Sequence, residues 1–186
     1  MIIQLTGLSG AGKTTLAAGA KSLLEKHALT VEIIDGDVYR KTLCKDLGFT
    51  REDRMENIRR LGKVAWSFKN GMDIILIAAI NPFEEIRNEL KEMYSAKTVW
   101  IKCDLDVLIK RDPKQLYKRA LLQNDHPDKL FNLSGVNDTY EIPAAPDLVI
   151  DTSREMPAQS VQKLYEFLLL FGSEANKKGP TLPSGA

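Results

Sequence analysis

The chain has 186 residues, a formal net charge of +1, 44% hydrophobic residues and 27% charged residues. That length suits one domain with a substantial core, and near-neutrality leaves no footprint of a general nucleic-acid or membrane-surface binder. The longest apolar run, residues 74–80, is too short to span a bilayer. The expectation is therefore no nucleic acid, no membrane, no signal peptide ahead of a strand that starts at residue 2, and a cytoplasmic setting.

Residues 1–6 read as a short apolar strand. They run into Gly7-Leu8-Ser9-Gly10-Ala11-Gly12-Lys13-Thr14, which fits the P-loop pattern G-x-x-x-x-G-K-[ST]. The helix expected from Lys13 carries Leu16, Ala17, Ala20, Leu23 and Leu24 on one stripe. A strand, a glycine-rich turn and a helix N-terminus make an anion site, because backbone N–H groups and the helix dipole both favour negative charge. Lys13 is expected to reach the β- and γ-phosphates of ATP from a solvated position, and the Thr14 hydroxyl to ligate Mg²⁺.

Residues 30–34 are β-branched and read as a second strand, ending in Asp35-Gly36-Asp37. A helix is expected over residues 38–46, with Gly48 beyond it. Thr50 then reads as the N-cap of a long helix with Ile58, Leu61, Ala65 and Phe68 inward. Residues 72–80 read as a central parallel strand, broken by Asn81-Pro82-Phe83. A helix over 84–94, a strand over 98–103, helices over 106–111 and 114–123, a polar loop over 124–146, a strand over 147–151 and a closing helix over 157–171 complete the domain. We place the domain at residues 1–172 and a flexible tail at 173–186, where Gly, Pro and Ser accumulate.

Strands alternating with helices predict an α/β fold, with a parallel sheet of five strands and helices on both faces. Ligands in such sheets bind beyond the carboxyl ends of the strands. Asp35 and Asp37 lie there, beside the P-loop, where a carboxylate holds Mg²⁺ through water or takes a proton from an attacking hydroxyl. Helix capping is the plainer role for Asp37. Arg54 and Asn57, three apart, read as one helix face opposite the apolar stripe, either a solvated face or a ligand contact, and the same choice holds for Arg40. Arg111, Lys114, Lys118 and Arg119 suit either a lid over the nucleotide or an exposed basic helix. Cys44 and Cys103 fit no metal spacing.

Taken together, these stretches resemble the adenylylsulfate (APS) kinases, which move the γ-phosphoryl group of ATP to the 3′-hydroxyl of adenosine 5′-phosphosulfate and so make PAPS. The resemblance runs through Gly7 to Thr15, Asp35-Gly36-Asp37 with Arg40, residues 43–49, Arg54 through Asn57 to Arg60, Arg111-Asp112-Pro113-Lys114 with Leu116-Tyr117-Lys118, Gly135 with Tyr140-Glu141 and Pro143, and Asp147-Leu148. It implies a P-loop nucleotide kinase fold with a mobile lid. It also implies that Gly7, Leu8, Ser9, Gly10, Ala11, Gly12, Lys13, Thr14, Thr15, Arg111 and Lys114 hold ATP, and that Thr14 and Asp35 hold Mg²⁺. By the same resemblance Lys13 and Asp37 are catalytic, and Asp35, Asp37, Arg40, Phe49, Arg54, Asn57, Asn81 and Leu133 face a small-molecule nucleotide acceptor. The family precedent for assembly is a homodimer.

Four positions depart from the family pattern. Val38 stands for Asn, Asn81 for the Ser before the proline, Gln115 for Gly in Lys-Gly-Leu-Tyr, and Leu133 for the Phe of Asn-Phe-Thr-Gly. Losing one aromatic face weakens a base sandwich by about 1 kcal/mol. The acceptor half is thus altered while the ATP half matches. An enzyme with the same ATP chemistry and another acceptor, such as cytidine diphosphoramidate, is the alternative reading. A P-loop switch without transfer activity is a third, opposed by Arg40, Phe49, Arg54 and Asn57.

Overall fold

The computed structural model describes residues 1–175, and the side chains of residues 1–170. Five strands, β1 (Ile2–Thr6), β2 (Val31–Asp35), β3 (Ile74–Ala78), β4 (Lys97–Lys102) and β5 (Leu148–Asp151), form one parallel sheet in the order β2-β3-β1-β4-β5. The helices between them are α1 (Lys13–Glu25), α2 (Gly36–Tyr39), α3 (Arg51–Ser67), α4 (Glu84–Tyr94), α5 (Leu105–Arg111) and α6 (Leu116–Ala120), and α7 (Pro157–Ala175) follows β5.

Strand β3 shows why the sheet needs helices on both sides. Its side chains alternate, so Ile74, Leu76 and Ala78 enter one core cluster and Ile75 and Ile77 enter the other. The first cluster joins the sheet to Leu16, Ala20 and Leu24 of α1 and to Leu164 and Leu168 of α7. The second joins it to Ile58, Leu61 and Ala65 of α3 and to Ile86 and Leu90 of α4. Each fully buried leucine contributes about 2 kcal/mol of apolar burial, so α7 depends on α1 for its place. Among the described residues no helix is long and apolar enough to cross a membrane.

Register brings the strand ends to one rim. Ala78 pairs with Leu5 on one side and Asp35 on the other, which lines up the turns after β1, β2 and β3. Helix α3 starts as expected, with Thr50 Oγ1 accepting from the Asp53 N–H at 3.1 Å and two carboxylates in the first turn.

Several expectations change. The helix expected over residues 38–46 is a single turn, α2, followed by i→i+3 turns through Lys41, Thr42 and Lys45. Only Cys44 is buried between residues 40 and 46, and one buried position cannot define a helix face. Arg54 and Asn57 are not opposite the apolar stripe: both are buried, and Arg54 falls on the line of Ile58, Leu61 and Ala65. The closing helix continues to Ala175, past the expected end at 171, and the rest of the expected tail, residues 176–186, lies outside the described residues. The stretch expected as a polar loop over 124–146 is tied down: Glu141 Oε2 accepts from the Glu84 N–H at 2.6 Å and so caps α4 from a distance.

Candidate active site

The turn after β1 is tight against the sheet. A Cβ on Gly7 would sit 2.3 Å from the Ile101 carbonyl oxygen, so residue 7 has no room for a side chain. Gly12 caps α1 in the left-handed region. The loop is also held from outside: the Tyr117 hydroxyl donates to the Ser9 carbonyl at 2.7 Å and Thr152 Oγ1 to the Ala11 carbonyl at 3.0 Å.

Lys13 is buried, which corrects the solvated position expected for it. Its Nζ donates to the Gly7 and Leu8 carbonyls, both at 2.8 Å. Burial lowers its pKa from 10.5 to about 8, against the pull of Asp37 and Asp35 in the other direction. A pocket opens over the loop, lined among others by Lys13, Thr14, Thr15, Asp37, Pro113 and Lys114. Arg111 turns aside from it: Arg111 donates to the Thr152 carbonyl at 2.6 Å and faces Cys103 Sγ at 3.5 Å.

The two acidic residues divide their roles. Asp35 caps α2, with Oδ1 accepting from the Asp37 and Val38 N–H groups at 2.8 and 3.4 Å, so the capping weighed for Asp37 belongs to its neighbour. Asp35 Oδ2 accepts from the Thr14 hydroxyl at 2.7 Å. Asp37 is exposed and is ion-paired with Lys114, which reaches across from the segment between α5 and α6. Among the described residues no cluster of three or more His, Cys, Asp or Glu could hold a metal. Two adjacent oxygen donors, Thr14 and Asp35, do suit a hard cation that takes its other ligands from phosphate and water.

On the acceptor side, Phe49 is half exposed and has two guanidinium groups close to its ring, Arg40 at 5.0 Å and Arg54 at 5.4 Å from its centroid. Arg40 donates to the Leu47 and Gly48 carbonyls at 3.2 and 2.6 Å. Its own burial, then the charge of Arg54, lower its pKa. Arg54 is the hub: it donates to the Phe49 carbonyl at 3.0 Å, and to the Asn132 carbonyl and Asp138 at 2.6 Å each. It thereby ties α3 to the loop that carries Leu133. A Cβ on Gly135 would meet the Leu8 side chain at 2.6 Å, so the same loop packs on the P-loop.

Leu133 itself is only 4% exposed and belongs to the core cluster under α1 and α7. Here it packs as a core residue of the loop that Arg54 holds. Asn81 is 2% exposed and Asn57 6%. Each has a buried side-chain Oδ1 without a hydrogen-bond partner, as does Ser134 Oγ in the neighbouring loop. Arg59 and Arg60 serve the scaffold, Arg59 paired with Glu89 and Arg60 with Asp46 and Glu56.

Sequence reasoning gave no role to Tyr117, Thr152, Asp138 or Gln4, all of which hold site residues in place. Thr152 follows β5 at the ligand-binding rim, and the strand-end rule would have found it. Gln4 sits in the middle of a fully buried strand, between Ile3 and Leu5, which is itself a signal.

The likenesses to known proteins agree with this arrangement. The family model for adenylylsulphate kinase matches residues 1–151. The adenylyl-sulfate kinase of Bacillus pumilus (strain SAFR-032) is 42% identical over 170 residues, covering 90% of this chain and 84% of that protein. That of Chloroflexus aurantiacus (strain ATCC 29364 / DSM 637 / Y-400-fl) is 44% identical over 153 residues, covering 82% of this chain and 80% of that protein. A Mycobacterium tuberculosis APS kinase, solved in complex with AMPPNP and APS, superposes with a TM-score of 0.81 at 30% identity, over 91% of this chain and 96% of its own. With its P-loop, its parallel sheet and these likenesses over most of its length, the chain belongs to the adenylylsulphate kinase family.

Proposed function

We propose that this protein transfers the γ-phosphoryl group of ATP to the 3′-hydroxyl of adenosine 5′-phosphosulfate, releasing ADP and PAPS. The observation that carries the reading is one pocket in which the P-loop Lys13, the strand-end Asp37 and the Lys114 ammonium meet. Family membership supports APS as the acceptor. Phe49 close to Arg40 and Arg54 supports a planar base beside an anionic group.

In this reading the N–H groups of the loop and Lys13 bind the phosphates, and Lys13 exchanges the Gly7 and Leu8 carbonyls for phosphate oxygens. Asp37 accepts the proton of the attacking hydroxyl once Lys114 moves from the carboxylate to the donor phosphates. Arg40, Arg54 and Asn57 hold the acceptor in line with the donor. Thr14 and Asp35 would hold Mg²⁺, which when bound offsets charge on the transferring group. A cytoplasmic setting and a homodimer belong to the same proposal, the latter checked by the mass in solution.

The test is ADP release with ATP and a panel of acceptors: APS, cytidine diphosphoramidate, AMP and CMP. APS should be turned over with the highest kcat/KM. Preference for the cytidine compound would move the assignment to the alternative acceptor, and ADP release independent of every acceptor would favour a nucleotide switch.

A further inference from the structure

Gln4, at the centre of β1, is completely buried and is the start of a chain of hydrogen bonds whose sense can be assigned. Gln4 Nε2 lies 2.9 Å from the Arg87 carbonyl oxygen, which can only accept. The amide nitrogen of Gln4 must therefore face Arg87, where it also donates to Thr98 Oγ1 at 2.9 Å. That leaves Gln4 Oε1 facing Asn81, 2.8 Å from Nδ2. Asn81 must in turn place its nitrogen toward Gln4, because the reverse would set two amide oxygens against each other. Oδ1 of Asn81 is thus fixed on the other side, as an acceptor that cannot become a donor. It is buried and has no partner.

The backbone just before that residue borders the P-loop pocket. Asn81 follows Ala78, Ala79 and Ile80, which line the pocket with Lys13 and Asp37. Its carbonyl is held by Arg87 Nη1 at 2.8 Å and Thr6 Oγ1 at 3.0 Å, so the residue has little freedom to turn. The other buried side-chain atoms without partners among the described residues, Asn57 Oδ1 and Ser134 Oγ, lie on α3 and on the loop bound to Arg54.

We propose that Asn81 Oδ1 accepts a hydrogen bond from a proton-bearing group of the acceptor nucleotide, a ribose hydroxyl or an exocyclic amino group, and that Gln4 is the positioning residue that fixes this sense. The phosphosulfate is excluded as the partner, since its outer oxygens carry no proton at neutral pH and would face an amide oxygen lone pair to lone pair. This inference rests on the acceptor reading above.

The test is steady-state kinetics at saturating ATP with three acceptors: APS, its 2′-deoxy analogue and its hypoxanthine analogue, which lacks the exocyclic amino group. The wild-type enzyme should lose about ten-fold or more in kcat/KM with one of the two analogues, since a buried acceptor is then left unpaired. Asn81→Gly, which suits the backbone at φ 47, should carry the loss with APS and show no further loss with that same analogue. Gln4→Met should raise KM for APS while kcat and KM for ATP stay unchanged, a split that mere loss of fold would not give. Wild-type enzyme indifferent to both analogues overturns the inference without any change at residue 81. An Asn81→Gly enzyme equally impaired with all three acceptors, or unimpaired with APS, also overturns it. Wild-type enzyme without activity on APS overturns the functional reading first, and this inference with it.

Discussion

Lys114 forms an ion pair with Asp37 across the mouth of the P-loop pocket, joining the segment between α5 and α6 to the end of β2. Both side chains are well exposed, so the pair adds little stability, and its interest is chemical. The carboxylate proposed to take the acceptor proton is engaged by the cation proposed to move to the phosphates. Asp37→Asn should therefore lower kcat by about 10²–10⁴-fold with KM for ATP little changed. Because Asp35 caps α2, the thermal midpoint should not move. A variant that loses only stability would assign Asp37 to the scaffold.

Lys13 sets a pH limit. Its pKa is lowered from 10.5 to about 8 by burial. Between those values the unfolded chain holds the extra proton, so this group makes the free protein more stable as pH rises through the window. Triphosphate binding needs the charged form and opposes that trend. KM for ATP should rise about ten-fold per pH unit above about 8, from the proton that must be regained. A flat KM between pH 7 and 9.5 would show that the Lys13 charge is not used. Lys13→Ala should cut turnover by about 10²–10³-fold while the sheet stays folded.

Arg54 is the residue whose loss should be felt twice. It is buried and paired with Asp138 while donating to two backbone carbonyls. Arg54→Ala should cost about 2 kcal/mol of stability, measured by urea unfolding, because the half-buried Asp138 and two carbonyls lose a charged donor. It should also raise KM for APS more than KM for ATP. Equal effects on both substrates would confine Arg54 to the scaffold.

Tyr117→Phe removes the hydroxyl that holds the Ser9 carbonyl. It should cost about 1 kcal/mol of stability and raise KM for ATP by a few-fold, leaving KM for APS alone. An unchanged KM for ATP would show that α6 does not support the loop.

Transfer should be direct. Asn81 stands where the family pattern has a serine, and an amide, unlike a hydroxyl, is no nucleophile. Incubation with γ-labelled ATP and no acceptor, then denaturation, should leave no stoichiometric label on the protein. Label that passes to added acceptor at a rate matching kcat would contradict this.

The P-loop was legible because its constraints are local: glycine spacing, one lysine and one threonine between a strand and a helix. The five parallel strands were legible from apolar runs. Their order was not, since it depends on crossovers. The inward face of Arg54 was available in the sequence, because residues 54, 58, 61 and 65 share one helix line, but a charged side chain reads as solvated until its cover is known. That cover is Asn132 and Asp138, about eighty residues away. The burial of Leu133 and of Lys13 likewise follows from packing between distant segments. The choice of Asp35 over Asp37 as cap rests on which carboxylate reaches back to the next N–H groups, which spacing alone leaves open.

The central claim concerns which bond is made. ³¹P NMR of a reaction containing the full chain, Mg²⁺, ATP and APS reads it directly. We expect a new 3′-phosphomonoester resonance on the adenosine 5′-phosphosulfate, appearing in equal amount with ADP and only when APS is present. ATP consumed without that resonance, or a phosphomonoester formed on cytidine diphosphoramidate in preference to APS, would contradict the assignment.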